Sequence, residues 1–378
     1  MVIRNIFETA KDTGSRIQAF SAEDRTEAGR IQCTIRLDAS RTYQRIIGFG
    51  GALTESSGYV LSLIPPEKQK EVVNAYFSAE EGNRYTLART HLNSSDFSLE
   101  NWACVDKADE SLESFSMARP DKYITPLLRA AREAAGDGLK LLVSPWSPPA
   151  WMKDNGDMNR GGKLLKKYYP LWAACFARFV GGLKKRGIDT WAVSVQNEPE
   201  AVQTWDSCIW TASEEGEFAA GHLGPALEKY CANEKNKIII LVHDHNRDHL
   251  FERFSESVSC PGADKYIGGA AFHWYSGGQY DNVAKTAKAF PDKELIFTEG
   301  CIEGRPRIGA WYAGERYAYN IINDLNHGCT GWIDWNIALD TQGGPNHAGN
   351  FCDAPVIVDT QSGELHYQSS YYYISNAI

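Results

Sequence analysis

From about Tyr43 onward, short apolar runs alternate with longer stretches in which apolar side chains recur every three or four residues. A short apolar run predicts a buried strand, and the longer spacing predicts an amphipathic helix. The predicted strands are residues 45–49, 85–90, 139–144, 191–196, 237–243, 269–274, 294–298 and 331–335. The predicted helices between them include residues 66–76, 124–135, 167–186, 214–230 and 314–326. Strands and helices that alternate in this way are typical of a parallel α/β fold.

Eight strand–helix units form either a closed barrel or an open doubly wound sheet, and the periodicity of the sequence does not distinguish these two folds. The polar residues favour the barrel, because nearly every predicted strand ends in side chains that a core does not need. All strand ends of a barrel meet at one face, where active sites are built, whereas an open sheet uses only its switch point. We therefore predict a (β/α)8 TIM barrel over residues 44–378. The strand-end residues are Arg89, Trp146, Asn197, Glu198, His243, Asp244, His273, Trp274, Tyr275, Glu299, Asp334, Trp335 and Asn336.

Residues 1–43 follow a different pattern from the rest of the chain. Residues 17–20 and 32–37 predict two strands, the second with the alternation Gln-Cys-Thr-Ile-Arg-Leu. Two strands alone are only marginally stable. We therefore expect them to pack against another part of the protein.

Composition narrows the possible partners and compartment. The formal net charge of −9 argues against a nucleic acid or an anionic membrane as partner. Nine cysteines without a C-x-x-C pair predict free thiols in a reducing compartment. The N-terminus has no apolar signal segment, and no apolar run is long enough to cross a membrane. We expect a cytoplasmic protein without membrane insertion, although removal of a leader would leave the same pattern; the oligomeric state is left open.

Two carboxylates stand at the ends of predicted strands, each after an apolar run. Glu198 lies in Val-Gln-Asn-Glu-Pro after the fourth strand, and Glu299 lies in Phe-Thr-Glu-Gly after the seventh. Either residue alone is also compatible with a solvated carboxylate or a helix cap. In a barrel the two strand ends face each other across the mouth. Two facing carboxyl groups are what glycoside hydrolysis requires: one protonates the leaving oxygen, and the other attacks the anomeric carbon or activates water.

Other motifs indicate no cofactor. Residues 48–53 suggest a dinucleotide-binding turn, but Leu53 stands where the third glycine belongs, so a tight strand-to-helix turn explains the glycines. Residues 161–164 lack the leading glycine and the Ser/Thr of a phosphate-binding loop. The sequence His-Asp-His at 243–245 offers metal ligands, but we expect no further ligand nearby and hence no metal site. Cys301 either lines the pocket or is a buried structural thiol.

Several motifs in a fixed order resemble one known family. They are GFGGALTES at 48–56, ARTHLNSSDFS at 88–98, SPWSPPAWMKDNG at 144–156, VQNEP at 195–199, FHWY at 272–275, FTEGC at 297–301 and GWIDWNIALD at 331–340. With these motifs the chain resembles glycoside hydrolase family 30, and within it the glucosylceramidase branch. The resemblance covers almost all of the chain from Gly48 onward.

The resemblance implies a retaining mechanism with Glu198 as acid/base and Glu299 as nucleophile, and a carbohydrate or glycolipid substrate. It implies that Asp96 accepts from sugar hydroxyls, that Asn197 holds the 2-hydroxyl and that Tyr275 bonds the nucleophile. The substrate-binding residues that it implies are Arg89, Asp96, Trp146, Asn197, His273, Tyr275, Trp335 and Asn350. We expect cleavage of terminal β-glucosyl linkages; the alternatives are an endo-β-1,6-glucanase or β-xylosidase-type activity. A non-catalytic carbohydrate-binding barrel requires the loss of a carboxylate, and both are present.

Members of the family continue beyond the eighth helix into strands that complete the β-sandwich, whereas this sequence stops at Ile378. The resemblance therefore implies that residues 1–43 form the N-terminal strands of an incomplete accessory β-sandwich and that these strands lack their partners. An unpaired apolar edge is unfavourable, so we expect the 378 residues alone to be poorly stable.

Overall fold

The computed structural model describes residues 6–21, 36, 38–231 and 237–378. Within these ranges, parallel strands form a closed barrel in which each strand pairs with the next along the chain and the last pairs with the first. The barrel strands are β3 (Gly48–Ala52), β4 (Leu87–Leu92), β5 (Lys140–Pro145), β6 (Thr190–Ser194), β7 (Ile239–Asn246), β8 (Ile267–His273), β9 (Glu294–Glu299) and β10 (Gly331–Asn336). The predicted (β/α)8 fold is confirmed.

Helices surround the barrel and bury their apolar faces against the strands. They are α1 (Glu55–Ser62), α2 (Pro66–Phe77), α3 (Pro120–Ala135), α4 (Tyr169–Lys185), α5 (Ala212–Phe218), α6 (Gly224–Tyr230), α7 (Leu250–Ser259), α8 (Tyr280–Ala289), α9 (Tyr312–Asn326) and α10 (Ser369–Ser375). In α4, for example, Trp172, Phe176 and Phe179 recur at helical spacing and are buried. A π-helical turn over Ala219–Leu223 joins α5 to α6, so the single predicted helix over 214–230 is helical throughout.

The first barrel strand differs from its prediction. It was expected at 45–49, where Ile46 and Ile47 are apolar, but β3 covers Gly48–Ala52. The glycines belong to the strand itself and not to a turn, because neighbouring strands approach too closely for side chains. A Cβ on Gly50 would lie 2.1 Å from the carbonyl oxygen of Leu87. The close approach selects glycine here against its low strand propensity.

Inward-facing side chains divide the barrel interior into an apolar and a polar layer. The apolar layer, nearer the amino ends of the strands, consists of Leu87, Leu142, Ala192, Leu241, Ala271, Ile296 and Ile333. Residues two positions further along a strand share its face. At those positions stand Arg89, Ser144, Ser194 and Thr298, all of them buried. Apolar side chains therefore fill the barrel near the amino ends of the strands, and polar side chains fill it near the carboxyl ends. This arrangement places the reactive groups at the carboxyl ends of the strands.

Smaller sheets flank the barrel. At the N-terminus, β1 (Ile6–Glu8) pairs with β2 (Gln18–Phe20) in antiparallel fashion, and β2 corresponds to the strand predicted at 17–20. Of the strand predicted at 32–37, only residue 36 is described, so that prediction lies outside the described residues. After β10, a three-stranded sheet consists of β11 (Ala338–Asp340), β12 (Val356–Val358) and β13 (Leu365–Tyr367). Among the described residues, every helix is too short or too polar to span a bilayer.

Candidate active site

A cavity of about 250 Å³ opens at the carboxyl ends of the strands. Eight of the ten predicted site residues line it, namely Asp96, Trp146, Asn197, Glu198, Tyr275, Glu299, Trp335 and Asn350. The other two, Arg89 and His273, are fully buried and hydrogen-bond to lining residues. A wider depression of about 980 Å³ lies at the amino ends of β5 and β6, the barrel face that contributes to stability. The structure thus brings the predicted site residues together at one place.

Arg89 lies at the centre of this group. Its Nη1 donates to Oε2 of Glu299 over 2.7 Å. Its Nη2 donates to Oδ1 of Asn197 over 2.8 Å and to Oδ2 of Asp244 over 2.9 Å. Burial raises the pKa of Asp244, but the positive charge of Arg89 and the hydrogen bonds from His273 and Ser194 together outweigh burial, so this pKa lies well below its usual range. Arg89 therefore stands between two carboxylates and fixes the residue that precedes Glu198.

Asp244 anchors the polar layer, a role that was not predicted from the sequence. Its Oδ2 accepts hydrogen bonds from Ser194 over 2.6 Å and from Ser144 over 3.1 Å. Its Oδ1 accepts from Thr298 over 2.6 Å and contacts Nε2 of His273 over 3.2 Å. A buried carboxylate is stable only when it is paired and hydrogen-bonded, and this one, with Arg89 included, is surrounded by donors from five strands. In the sequence, this role of Asp244 was indicated by its position among polar residues at the end of an apolar strand.

A bulge in β7 turns Asp244 into the barrel. The pairing of β7 with β8 shifts register between His243 and His245. His243 and Asp244 have φ angles of +74° and +42°, in the left-handed region that costs about 1–2 kcal/mol per non-glycine residue. Bulges of this kind re-aim side chains next to active sites. The bulge explains why simple alternation along the strand does not predict where residues 243–245 point.

Glu198 also has a left-handed backbone, with φ +48°. The strand before it ends at Ser194, so Glu198 stands on a short loop and not at the strand tip. Its backbone N–H donates to the carbonyl oxygen of Asp244 over 2.9 Å, and that of Asn197 donates to Pro145 over 2.8 Å. Backbone strain held in place by its surroundings is common at functional sites.

Glu299 receives short hydrogen bonds, whereas those to Glu198 are longer. The hydroxyl of Tyr275 donates to Oε1 of Glu299 over 3.1 Å, as predicted for Tyr275. The same hydroxyl contacts Sγ of Cys301 over 3.4 Å. Cys301 is both buried and part of the cavity lining. It is therefore a buried thiol that also lines the pocket. Together with Arg89, Tyr275 gives Glu299 two donors, an arrangement that suits an ionised carboxylate.

The environment of Glu198 consists of imidazoles and an amide. Nδ1 of His273 lies 3.4 Å from Oε1 of Glu198, and Nε2 of Gln203 donates to its Oε2 over 3.4 Å. His273 pairs in register with Glu299 on the neighbouring strand, whereas its hydrogen bonds go to Glu198 and Asp244. Burial lowers the pKa of His273, yet the neighbouring carboxylates raise it to about 9. A positive imidazolium therefore stands beside Glu198.

The two candidate catalytic carboxyls titrate as a coupled pair. Burial raises the pKa of Glu198, but the hydrogen bond from His273 and the charge of His245 outweigh it and lower this pKa. Burial raises the pKa of Glu299, His273 and Arg89 lower it, and the charge of Glu198 helps to keep it raised. A proton on Glu198 removes that charge. Glu299 then ionises more readily beside Arg89.

Trp146 and Trp335 form one aromatic wall and not two opposing ones. Their rings stack with centroids 5.2 Å apart and planes at 21°. The guanidinium of Arg89 lies 4.8 Å from the centroid of Trp146. Phe97 supports Trp335 edge-on at 5.7 Å. A flat apolar surface of this kind suits the C–H face of a sugar ring.

Asp96 lies buried in the same cavity. Its Oδ2 accepts from Nδ2 of Asn346 over 3.1 Å and from Nδ2 of Asn350 over 3.0 Å. Burial raises the pKa of Asp96 to about 7, although both amides act to lower it. Asn346 was not predicted, because its role depends on a loop that returns 250 residues after Asp96. Both amides hold the Asp96 carboxylate in place. Asn350 therefore contributes to the site at least by positioning Asp96.

One expectation about this region was wrong. His245 was expected to have no further metal ligand nearby, but potential ligand atoms of Glu198, His245 and His273 all lie within 4.8 Å of one another. Glu198 lies on the loop after β6, His245 in β7 and His273 in β8, so only the closed barrel brings them together.

Comparisons with known proteins agree with this geometry. Residues 46–377 match the glycosyl hydrolase family 30 TIM-barrel domain. The lysosomal acid glucosylceramidase of Mus musculus is 32% identical over 372 residues, covering 93% of this chain and 70% of that protein. SrfJ from Salmonella typhimurium has a similar structure, with 35% identity and a TM-score of 0.90 over 98% of this chain and 83% of that one.

A second solved structure, the endo-β1,6-glucanase BT3312, is 27% identical, with a TM-score of 0.84 over 98% of this chain and 82% of that one. The similarity thus extends to proteins with different named substrates. The family match covers most of the chain, and the barrel carries two carboxyl groups at its mouth. The chain belongs to glycosyl hydrolase family 30 and is an O-glycoside hydrolase.

Proposed function

We propose that this protein cleaves terminal β-glucosyl linkages with retention of configuration, with Glu299 as nucleophile and Glu198 as acid/base. The observation that carries the proposal is the asymmetry of the two carboxyl groups. Glu299 accepts hydrogen bonds of 2.7 Å and 3.1 Å from Arg89 and Tyr275, which favour the ionised form. Glu198 has only longer contacts of 3.4 Å. Because its hydrogen bonds are longer, Glu198 loses less when it gives or takes a proton, and the imidazolium of His273 stabilises its ionised form between these transfers.

The reaction proceeds in two steps. In the first, Glu299 attacks the anomeric carbon while Glu198 gives its proton to the glycosidic oxygen, which leaves as an alcohol. A glycosyl ester of Glu299 results. In the second, Glu198 takes a proton from water as that water attacks the anomeric carbon. The ester bond breaks, the sugar leaves with its original configuration, and Glu299 returns to its carboxylate form.

Arg89 and Asn197 position the reacting groups. Because Nη2 of Arg89 occupies Oδ1 of Asn197 at 2.8 Å, the amide NH₂ of Asn197 is directed away from the guanidinium. In the cavity it is placed to donate to the 2-hydroxyl of the sugar, a hydrogen bond that strengthens in the transition state. The positive charge of Arg89 also favours the carboxylate of Glu299 when it is released in the second step.

The cavity supports recognition of one terminal sugar. Its volume of about 250 Å³ lies below the usual range of about 300–1,000 Å³ for ligand pockets. The Trp146–Trp335 wall would contact one face of the ring, and Asp96 would accept from its hydroxyls at one edge. A pocket of this size favours release of a monosaccharide over cleavage inside a polymer.

The identity of the aglycone is the second part of the proposal. The 32% identity with a mouse protein named lysosomal acid glucosylceramidase favours a β-glucoside with a lipid aglycone. The similarity to BT3312, named an endo-β1,6-glucanase, supports the alternative of internal cleavage of a β-1,6-glucan. Both activities use the same two-step mechanism, so the products distinguish them.

A product analysis tests this proposal. The protein is incubated with an aryl β-glucoside, an aryl β-xyloside, glucosylceramide and a β-1,6-glucan, and the products are sized. We expect glucose as the sugar product of the glucosides, and little turnover of the xyloside. Mixed oligosaccharides from the glucan would contradict terminal cleavage. If wild type and Glu299→Gln were equally inactive on every substrate, the chain would instead be a non-catalytic sugar-binding barrel.

A further inference from the structure

Three potential metal ligands meet at one side of the active-site cavity. Glu198 stands on the loop after β6, His245 in β7 and His273 at the end of β8. Nδ1 of His273 lies 3.4 Å from Oε1 of Glu198, and Nδ1 of His245 lies 3.8 Å from the same oxygen. The side chains of Glu198 and His245 are 14% and 15% exposed, and that of His273 is fully buried. This is a compact, enclosed set of two imidazoles and one carboxylate.

The spacing fits a tetrahedral transition-metal ion. Bonds of about 2.0–2.2 Å to a tetrahedral Zn²⁺ place its ligand atoms about 3.4 Å apart. The His273–Glu198 distance already has this value. The His245–Glu198 distance is about 0.4 Å longer than this tetrahedral spacing. The ligand atoms of His245 and His273 lie within 4.8 Å of each other, so metal binding requires side-chain rotation that brings all three together.

The surroundings of the two imidazoles also fit a metal site. Nε2 of His273 lies 3.2 Å from Oδ1 of Asp244, and a carboxylate behind a ligating histidine orients it and strengthens its binding of metal. Nδ1 of His245 is buried and has no hydrogen-bond partner among the described residues. A buried polar atom without a partner is unfavourable, and a bound cation would satisfy it.

We propose that a divalent transition-metal ion, for which Zn²⁺ is the reference, binds to Glu198, His245 and His273 and blocks the enzyme. Nitrogen and oxygen ligands of this kind suit Zn²⁺, and three protein ligands leave its fourth position to water. The bound ion coordinates the carboxylate of Glu198, so Glu198 cannot carry the proton that the leaving oxygen needs. Metal binding does not depend on the proposed function; only the inhibition rests on it.

A rival site for metal lies in the same cavity. Cys301 and Cys352 are both buried and both line it, and thiolates bind Zn²⁺ well. The test must therefore distinguish histidine ligands from thiol ligands. Co²⁺ serves as a spectroscopic substitute for Zn²⁺, because coordinated thiolate adds an intense sulfur-to-cobalt charge-transfer band that nitrogen and oxygen ligands do not produce.

The experiment titrates the 378-residue chain with Zn²⁺ in a calorimeter at about pH 8, where the metal ion displaces a proton from a ligating histidine more readily than at lower pH. We expect one ion per chain. His245→Asn should weaken binding by about 100-fold, since loss of an outer partner alone costs about 10–100-fold. His245→Cys, which keeps a ligand, should restore binding if His245→Asn loses it. His366→Asn, which removes a histidine of β13 outside the cavity lining, should bind like wild type.

Three outcomes would overturn the proposal: no binding by wild type, equal binding by wild type and His245→Asn, or a thiolate charge-transfer band with Co²⁺. Loss of binding in Cys352→Ser with retention in His245→Asn would assign the metal to the thiols. A Zn²⁺ titration of glucoside hydrolysis then tests the inhibition, and we expect the half-inhibitory concentration to rise about 100-fold in His245→Asn. If the chain hydrolyses none of the glycosides yet binds Zn²⁺ through His245, the proposed function fails while the metal site stands.

Discussion

Arg89 donates from Nη1 to Oε2 of Glu299 over 2.7 Å, and both side chains are almost completely removed from solvent. The same guanidinium reaches Asp244 over 2.9 Å through Nη2. One cation thus pairs with two carboxylates in the interior of the barrel. Since a buried charge is costly unless it is paired, neither carboxylate would keep its charge and position without Arg89.

Replacement of Arg89 is the most direct test of this relationship. Arg89→Met leaves Asp244 and Glu299 without their common partner, and breaking a buried pair in this way costs about 3–5 kcal/mol in the free energy of unfolding. Urea denaturation measures this loss. Arg186→Met is the control, because Arg186 pairs with Asp121 near the surface, where such a pair contributes about 0–1 kcal/mol. Equal losses in the two variants would contradict a special role for Arg89.

The roles of the two carboxyl groups predict different kinetic defects. Glu198→Gln should lower turnover of a β-glucoside with a poor leaving group by about 10²–10⁴-fold, since that is the usual contribution of general acid–base catalysis. With a dinitrophenyl leaving group the first step no longer needs an acid, so glucosyl-enzyme should accumulate. Azide should then rescue turnover and give β-glucosyl azide.

Glu299→Gln should not respond to azide with the β-product, because it lacks the nucleophile of the first step. A 2-fluoroglucoside that labels the wild type should be found on Glu299 by peptide mass spectrometry. A label on any other residue would refute the assignment of the nucleophile.

The raised pKa of His273 predicts how the free energy of unfolding depends on pH. Its pKa is raised from 6.5 to about 9 in the folded protein, so the folded state holds the proton more tightly. The resulting stabilisation is fully present below about pH 6.5 and disappears as the pH rises to about 9; it amounts to about 3 kcal/mol. We expect the free energy of unfolding of wild type to fall across this window, and to fall much less in His273→Gln. His366→Gln should keep the wild-type slope, and a parallel decline in His273→Gln would contradict the prediction.

Asp96 predicts a defect in sugar binding. Asp96→Asn removes an acceptor of two hydroxyl hydrogen bonds, each worth about 1.5–3 kcal/mol when one partner is charged. We expect kcat/KM for an aryl β-glucoside to fall about 100-fold or more, mainly through KM. Asp359→Asn, in an exposed turn, should behave like wild type. A fall in kcat with an unchanged KM would argue for a role in the chemical step instead.

Local sequence patterns predicted some features of the barrel and missed others. Apolar runs located all the barrel strands, and polar residues after them, such as Glu198 and Glu299, marked the functional face. The glycines of β3 were misplaced, because the reason for them is the carbonyl of Leu87 on the next strand. No local pattern contains that contact. The hydrogen bonds of His273 were not predicted for a similar reason, since its partners Glu198 and Asp244 come from other parts of the barrel.

The amino-acid sequence alone was enough to predict the alternation of strands and helices, the family and the two carboxyl groups, because each of these depends on residues close together in the chain. Which groups meet depends on the tertiary structure. Arg89 and Asp244 are 155 residues apart, and they meet only because the barrel closes and a bulge in β7 turns Asp244 inward. The same bulge places His245 beside Glu198. Distances across the barrel and left-handed backbone angles result from packing between strands, and the order of residues along any one strand does not encode them.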